Sequence, residues 1–332
     1  MSKTKERASI VAQHDPGLAP RITARRPLFY ERGADPIEDR PRHVRAASSV
    51  VRFLGTLFVV QDDALFLARI DESTFRVADV LLPRGPGALR LFDDVRGNKA
   101  DKLDLEAAAV VPSSEGEVLL AFGSGSTPVR ERIVVLRPRG DSLDVRIADG
   151  AALYAQMRAD RSFSGSELNI EGALLDGRDL LFFQRGNGKA VDDLKPVDAT
   201  ARVDAAELLA HLEGRGPCPS PHEIARYELG SIGGCRLTFT DASWYRGSAV
   251  YVAAAEASPD AITDGPVAGV AIGTLGGPGA VRYGLLRDER GELSCDKVEG
   301  IVEAAGGGLI GVIDRDDPDA PAELVHIDCD IA

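Results

Sequence analysis

Apolar runs of four or five residues alternate with polar turns along this chain, and one paired run of this kind comes five times. Aligned without gaps, Ser48-Ser49-Val50-Val51 through Val59-Val60-Gln61 matches Glu171-Gly172-Ala173-Leu174 through Phe182-Phe183-Gln184. Asp241-Ala242-Ser243-Trp244 through Ala253-Ala254 keeps the same spacing, and the copies starting Glu106-Ala107-Ala108-Ala109 and Glu299-Gly300-Ile301-Val302 fit with small insertions in the turn. Short β-branched and aromatic runs bounded by Gly, Asp and Pro predict strands. Each copy is therefore a hairpin, and each ends in a polar loop such as Gln61-Asp62-Asp63 or Gln184-Arg185-Gly186-Asn187-Gly188. Two further strands are predicted after each hairpin, at 64–70 and 74–82, 130–137 and 142–148, 198–203 and 223–229, and 267–275 and 281–287; the fifth copy has only 322–328.

A repeated four-stranded unit of this length predicts a propeller. The expected fold is all-β: a five-bladed β-propeller of four-stranded blades, one domain spanning 1–332. A fifth blade short of a strand would leave an open edge, which invites aggregation. The strand-like segment 21–30 belongs to no other repeat, so it is expected to close the ring, with residues 1–19 as a flexible arm. A six-bladed ring, with the N-terminal 45 residues as part of an extra blade, is the competing architecture. A helical insertion is predicted at 204–214, with Asp204 as N-cap, Glu207 three residues later and Gly214 as the stop. Its apolar face, Leu208, Leu209 and Leu212, suits a surface decoration or a lid over one face. Segments 83–103 and 150–168 read as long inter-blade loops.

Charge narrows the partners. The balance of 39 basic against 52 acidic residues, net −13, repels a phosphate backbone, and no basic stripe with interleaved aromatics offsets it. No stretch approaches the ~18 apolar residues of a membrane-spanning helix. Met1-Ser2-Lys3-Thr4-Lys5-Glu6-Arg7 leads into no apolar region, so no secretory signal is expected and the chain reads as cytoplasmic. A monomer acting on or binding a small molecule is the expectation. The four cysteines, Cys218, Cys235, Cys295 and Cys329, lack paired spacing and read as buried thiols.

The candidate chemistry sits in the repeat. Four copies carry a carboxylate at one aligned position, Glu106, Glu171, Asp241 and Glu299, where the first has Ser48. Residues i and i+2 share a strand face. If the first strand of each blade lines the axis, these acids meet at one level of a central channel, with Arg185 and Asn187 on the same rim. Two carboxylates ~5 Å apart at an effective dielectric of ~20 repel by about 3 kcal/mol. The ring then needs protons, internal cations (Lys99, Lys102, Lys297, Arg185) or a bound metal. A lysine-paired structural network is one solution. A hard cation on oxygen ligands, Ca²⁺ above all, bound by at least two of Glu106, Glu171, Asp241 and Glu299 with Asn169 and Asp104 adding oxygens, is the other; the motif's lack of His and Cys argues against soft metals. Asp314-Arg315-Asp316-Asp317 resembles a cation loop and equally an exposed turn. Neither a G-x-S-x-G elbow nor a P-loop is present.

Leu105-Glu106-Ala107, Asn169-Ile170-Glu171-Gly172, Gln184-Arg185-Gly186-Asn187-Gly188, Phe239-Thr240-Asp241-Ala242 and Lys297-Val298-Glu299-Gly300 resemble the blade motifs of an uncharacterised bacterial β-propeller family. That family is akin to propellers described as having esterase-like activity of phytase. Ala255-Glu256-Ala257-Ser258-Pro259-Asp260 with Asp264-Gly265-Pro266 fits it too, and the resemblance runs from about Ser48 to the C-terminus. It implies a propeller and metal-assisted ester or phosphoester hydrolysis. Two functions follow. In a cation-dependent hydrolase, Glu106 and Glu171 would hold the ion and Arg185 would stabilise the developing anion. A non-catalytic propeller would instead bind a small ligand or a protein on the rim.

Overall fold

The computed structural model describes residues 8–257, 265–276 and 281–331; Ser258, Pro259, Asp260 and Asp264 of the recognised motif lie outside them. Five antiparallel sheets form one ring, each sheet's first strand touching the first strands of its two neighbours. Blade 1 comprises Ala47–Phe53, Thr56–Gln61, Phe66–Ile70 and Val77–Leu81, and blade 2 Leu105–Ser113, Gly116–Gly123, Arg132–Arg139 and Ser142–Asp149. Blade 3 comprises Ile170–Asp176, Asp179–Gln184, Asp198–Asp204 and His222–Glu228, and blade 4 Cys235–Tyr245, Ser248–Glu256, Val267–Thr274 and Arg282–Leu285. Blade 5 takes Val298–Glu303, Leu309–Ile313 and Glu323–Asp328 from the end of the chain and Arg21–Pro27 from its start, so the expected closure is observed.

Strand alternation explains the packing. Successive side chains face opposite sides of a blade, and both sides are covered by neighbouring blades. In blade 2, Leu119 and Ala121 join the core shared with blade 1, while Val118, Leu120 and Phe122 join the core shared with blade 3. That double burial is why the hairpins read as unbroken apolar runs. Edge-to-face ring pairs, Phe122 with Phe182 at 4.9 Å and Phe183 with Phe239 at 5.2 Å, add about 0.5–1.5 kcal/mol each beyond area burial.

Three expectations need correction. Residues 8–19 run along the outer edges of blades 3 and 4: Ile10–Val11 pairs in parallel with blade 3 at Tyr227 and Glu228, and Gln13–His14 with blade 4 at Arg282 and Tyr283. The loop read at 150–168 folds as helices, Ala151–Ala159 and Arg161–Ser164, whose Leu153, Tyr154, Met157 and Phe163 fill the core between blades 2 and 3. Only Cys329 of the four cysteines is buried. The helix Ala205–Leu212 forms as its cap predicts, with Asp204 accepting from the Glu207 amide, and it buries Leu208, Leu209 and Leu212 in that same core. No helix among the described residues is long and apolar enough to cross a membrane.

The N-terminal segment offers a graded test. Deletion through residue 19 removes Leu18, 2% exposed, and the Asp15–Arg282 ion pair. Burying one leucine stabilises by about 1.5–3 kcal/mol, so a melting temperature lower by about 5 °C is expected with the ring intact. Deletion through residue 27 bares the Glu323–Asp328 edge and strips Ile22 from the core; concentration-dependent association on size exclusion is expected. Monomeric, unperturbed protein after the longer deletion would contradict closure by this strand.

Candidate functional site

The first strand of every blade carries a β-bulge at the same level. Its pairing with the second strand skips Ser48, Glu106, Glu171, Thr240 and Glu299 in blades 1 to 5. A bulge bends the strand and re-aims the extra side chain. Here the skipped Ser48, Glu106, Glu171 and Glu299 line a central cavity of about 50 Å³. The ring of acids therefore has three members. Asp241, expected as the fourth, stands one residue beyond the bulge, equivalent to Ser49, Ala107, Gly172 and Gly300. A one-residue slip moves a side chain off its face. Asp241 does not line the cavity; it is 1% exposed and its Oδ2 accepts from the Ile301 amide at 2.9 Å. The true blade 4 equivalent, Thr240, donates through Oγ1 to the Val298 carbonyl at 2.8 Å, as Ser48 donates to that of Leu105 at 2.5 Å.

The polar loops after the second strands supply the rest of the mouth. Asp62 comes from blade 1, Arg185 and Asn187 from blade 3, and Asp314 and Asp316 from blade 5. Seven carboxylates (Asp62, Asp104, Glu106, Glu171, Glu299, Asp314, Asp316) share the cavity with four cations, Lys102, Arg130, Arg185 and Lys297. The cations are committed. Lys102 Nζ lies 2.5 Å from Asp62 and 2.6 Å from Asp104, and Arg130 lies 2.8 Å from Asp104. Lys297 holds Glu299 at 2.7 Å. Arg185 reaches Glu256 at 2.5 Å, Thr238 at 3.2 Å and Glu171 at 3.4 Å, while Asn169 donates to Glu171 at 2.7 Å. The guanidinium expected to meet a developing anion is thus 4% exposed and surrounded by protein partners.

Glu106 is the exception. Among the described residues it accepts no hydrogen bond and makes no ion pair, yet its donor oxygen and those of Asp62 and Asp104 lie within 4.8 Å of one another. Burial, then Asp104, Glu171 and Asp62, push its carboxyl well above the usual range. Burial likewise pushes Glu171 up to about 8 against the pull of Arg185, and raises Glu299 against Lys297. Asp104 goes the other way: burial disfavours its charge, but Lys102 and Arg130 outweigh that and hold it below the usual range. The three-oxygen corner at Asp62, Asp104 and Glu106 is a donor set for a hard cation. Asp104 stands two residues before Glu106, where an added oxygen is expected; Asp62 escaped the aligned-carboxylate argument because it follows the hairpin, and the loop Gln61-Asp62-Asp63 was its available signal.

The chain belongs to a family of unknown function, DUF6929, which matches residues 43–328. No curated protein matches it. Among solved structures it is similar to the glutaminyl cyclase of Myxococcus xanthus, at 10% identity and a TM-score of 0.46, over 98% of this chain and 100% of that one. It is also similar to a putative glycoside hydrolase from Parabacteroides distasonis, at 11% identity and a TM-score of 0.44, over 85% and 87%. A streptogramin B lyase aligns at 11% identity and a TM-score of 0.37, over 92% and 98%. Likenesses this distant carry no activity across.

The raised carboxyls make stability depend on pH. A group with a higher pKa folded than unfolded binds more protons in the folded state, so it loses its stabilising contribution as pH rises. For Glu171 that loss spans roughly pH 5 to 8. In EDTA, the wild-type melting temperature should fall across this window more steeply than that of Glu171→Gln, whose amide has no proton to lose. Parallel declines would remove Glu171 from the account.

Proposed function

We propose that this propeller holds a divalent cation, Ca²⁺ for preference, at the mouth of its channel and hydrolyses an ester, lactone or phosphoester there. The observation behind this reading is the unpartnered Glu106 carboxylate beside Asp62 and Asp104. Like charges that close repel by about 3 kcal/mol per pair, and Lys102 pairs directly with only two of the three. A bound divalent ion would supply Lewis acidity and a water of lowered pKa. Glu106, with Asp62 and Asp104, would hold it. Glu171, with its pKa pushed up to about 8, can keep a proton near neutrality and deliver it to a leaving oxygen. Arg185 orients Glu171 rather than reaching a substrate. The resemblance of the blade motifs to propellers with esterase-like activity of phytase supports the reaction class.

A specific observation favours a second reading. Lys102 already sits between Asp62 and Asp104, and Lys297 on Glu299. A ring compensated by lysine needs no metal, and its rim would serve a non-catalytic propeller that binds a small ligand or a protein.

Elemental analysis and thermal melts in EDTA, then with Ca²⁺ restored, distinguish the two. For the first reading, one divalent ion per chain and a melting temperature several degrees lower in EDTA are expected, by mass action on the folded state. Glu106→Gln should abolish that response. Turnover on an ester, lactone or phosphoester panel should need the ion and fall by 10²-fold or more in Glu171→Gln. No metal, no response to EDTA and no turnover would leave the lysine-held ring as the account.

A further inference from the structure

The outer strand of each blade is a sheet edge, and an open edge offers its unpaired N–H and C=O groups to any extended chain. The N-terminal segment deals with four of these edges in turn. Ile10–Val11 lies on the blade 3 edge and Gln13–His14 on the blade 4 edge, Arg21–Pro27 forms the blade 5 edge, and Tyr30 bridges Val77 on the blade 1 edge. The chain then enters blade 1, and blade 2 gets no such cover. Among the described residues nothing pairs with the outer side of Ser142–Asp149. At eight residues this is also the longest of the five outer strands, and it follows Arg132–Arg139 through eight consecutive pairs without a bulge. Edges are commonly blunted by proline, lysine or a bulge; this one has none of them, whereas the blade 5 edge carries Arg21, Arg25, Arg26 and Pro27. Alternation divides its side chains. Leu143, Val145 and Ile147 are half-buried on the side packed against blade 1, and Asp144 and Arg146 stand on the other. Arg146 Nη1 donates to the Leu212 carbonyl at 3.0 Å, which holds the side chain in place. Among the described residues Asp144 is exposed and makes no ion pair; Arg137, opposite it within the sheet, is taken by Glu213.

We propose that this edge pairs with the same edge of a second copy of the chain, antiparallel and about a two-fold axis at Val145, so that the two blade 2 sheets run on as one. Residues directly opposite in an antiparallel pair interact side chain to side chain. An axis at Val145 sets Asp144 against the partner's Arg146 and Leu143 against the partner's Ile147, and the symmetry makes each contact twice. An axis at Asp144 or at Arg146 would set like charges opposite each other, which is destabilising, and axes nearer the strand ends shorten the overlap. The strand is therefore complementary to itself in one register, and this is what favours a second copy over a foreign strand. Beyond the last pair Asp149 approaches the partner's Asp141; both are exposed, and their repulsion keeps the contact reversible.

Sedimentation velocity, from micromolar to near-millimolar protein, tests this. A monomer–dimer equilibrium without larger species is expected, because a two-fold contact closes on itself, and it should be weak, as small interfaces are. Val145→Lys sets two ammonium groups face to face at the axis, and Asp144→Arg turns both ion pairs into repulsions. Each should raise the dissociation constant by about tenfold or more. Combining Asp144→Arg with Arg146→Asp restores opposite charges and should bring the constant back to within about threefold of wild type. Where loss of the Leu212 bond keeps that double variant from folding, Asp141→Lys, which meets the partner's Asp149, should tighten the dimer severalfold instead. Association of the chain truncated through residue 27 is then read in the Val145→Lys background, where it reports the blade 5 edge alone. A chain monomeric throughout, as the sequence reading expects, overturns the proposal. So does a dimer indifferent to Val145→Lys and Asp144→Arg, or one that neither the charge swap restores nor Asp141→Lys tightens.

Discussion

Everything at the centre of this ring depends on one backbone device, the bulge repeated in each first strand. Five strands can surround a narrow axis only if their backbones approach closely, and the residue after each bulge is where they do. At Gly300 a Cβ would stand 2.7 Å from the Val50 amide nitrogen and 2.8 Å from Ser49 Cα. The positions equivalent to Gly300 hold Ser49, Ala107 and Gly172, all small, and Asp241. The bulge that permits this approach also turns the preceding side chain toward the cavity. Packing and chemistry are thus coupled: the spot where the blades meet is the spot where the acids appear. Blades 1 and 4 use it for a hydroxyl that bonds the next blade's carbonyl, while blades 2, 3 and 5 use it for a carboxylate.

Those carboxylates are costly. Removing one partner of a buried ion pair costs about 3–5 kcal/mol, and the mouth holds several such pairs: Lys102 with Asp104, Lys297 with Glu299, Arg185 with Glu256. A fold needing only a plugged channel could fill it with valine and leucine. Seven acids against four bases leave an excess that protons or a bound cation must neutralise.

The propeller was legible because burial on both sides of each blade imposes short apolar runs, bounded by turns and repeated five times. The register at the axis was harder. Phe239-Thr240-Asp241 offers a carboxylate one step from where the other copies carry theirs, and a gap-free alignment takes the chemical match over the geometric one. Only the pairing of Phe239 with Ala253 and Asp241 with Val252 reveals Thr240 as the skipped residue. The helix Ala151–Ala159 was hidden because Gly150 lacks a capping side chain, whereas Asp204 and Glu207 announced theirs. Residues 8–19 looked loose because two-residue strands leave almost no pattern to read. The corner at Asp62 and Asp104 joins residues from two blades, and a repeat read copy by copy does not show such a junction.

The strap from Ile10 to Pro27 also imposes an order on assembly. Arg21–Pro27 leaves the ribosome about 300 residues ahead of its partner strand, Glu323–Asp328. Until then the early strand has no edge to join, and blade 5 cannot be completed. Contacts this distant in sequence slow folding and leave unpaired edges exposed meanwhile. Interior blades can form hairpin by hairpin during synthesis, whereas the seam waits for all four other blades. The slowest step and the interval of greatest exposure to proteases and chaperones therefore fall at the blade 5 seam.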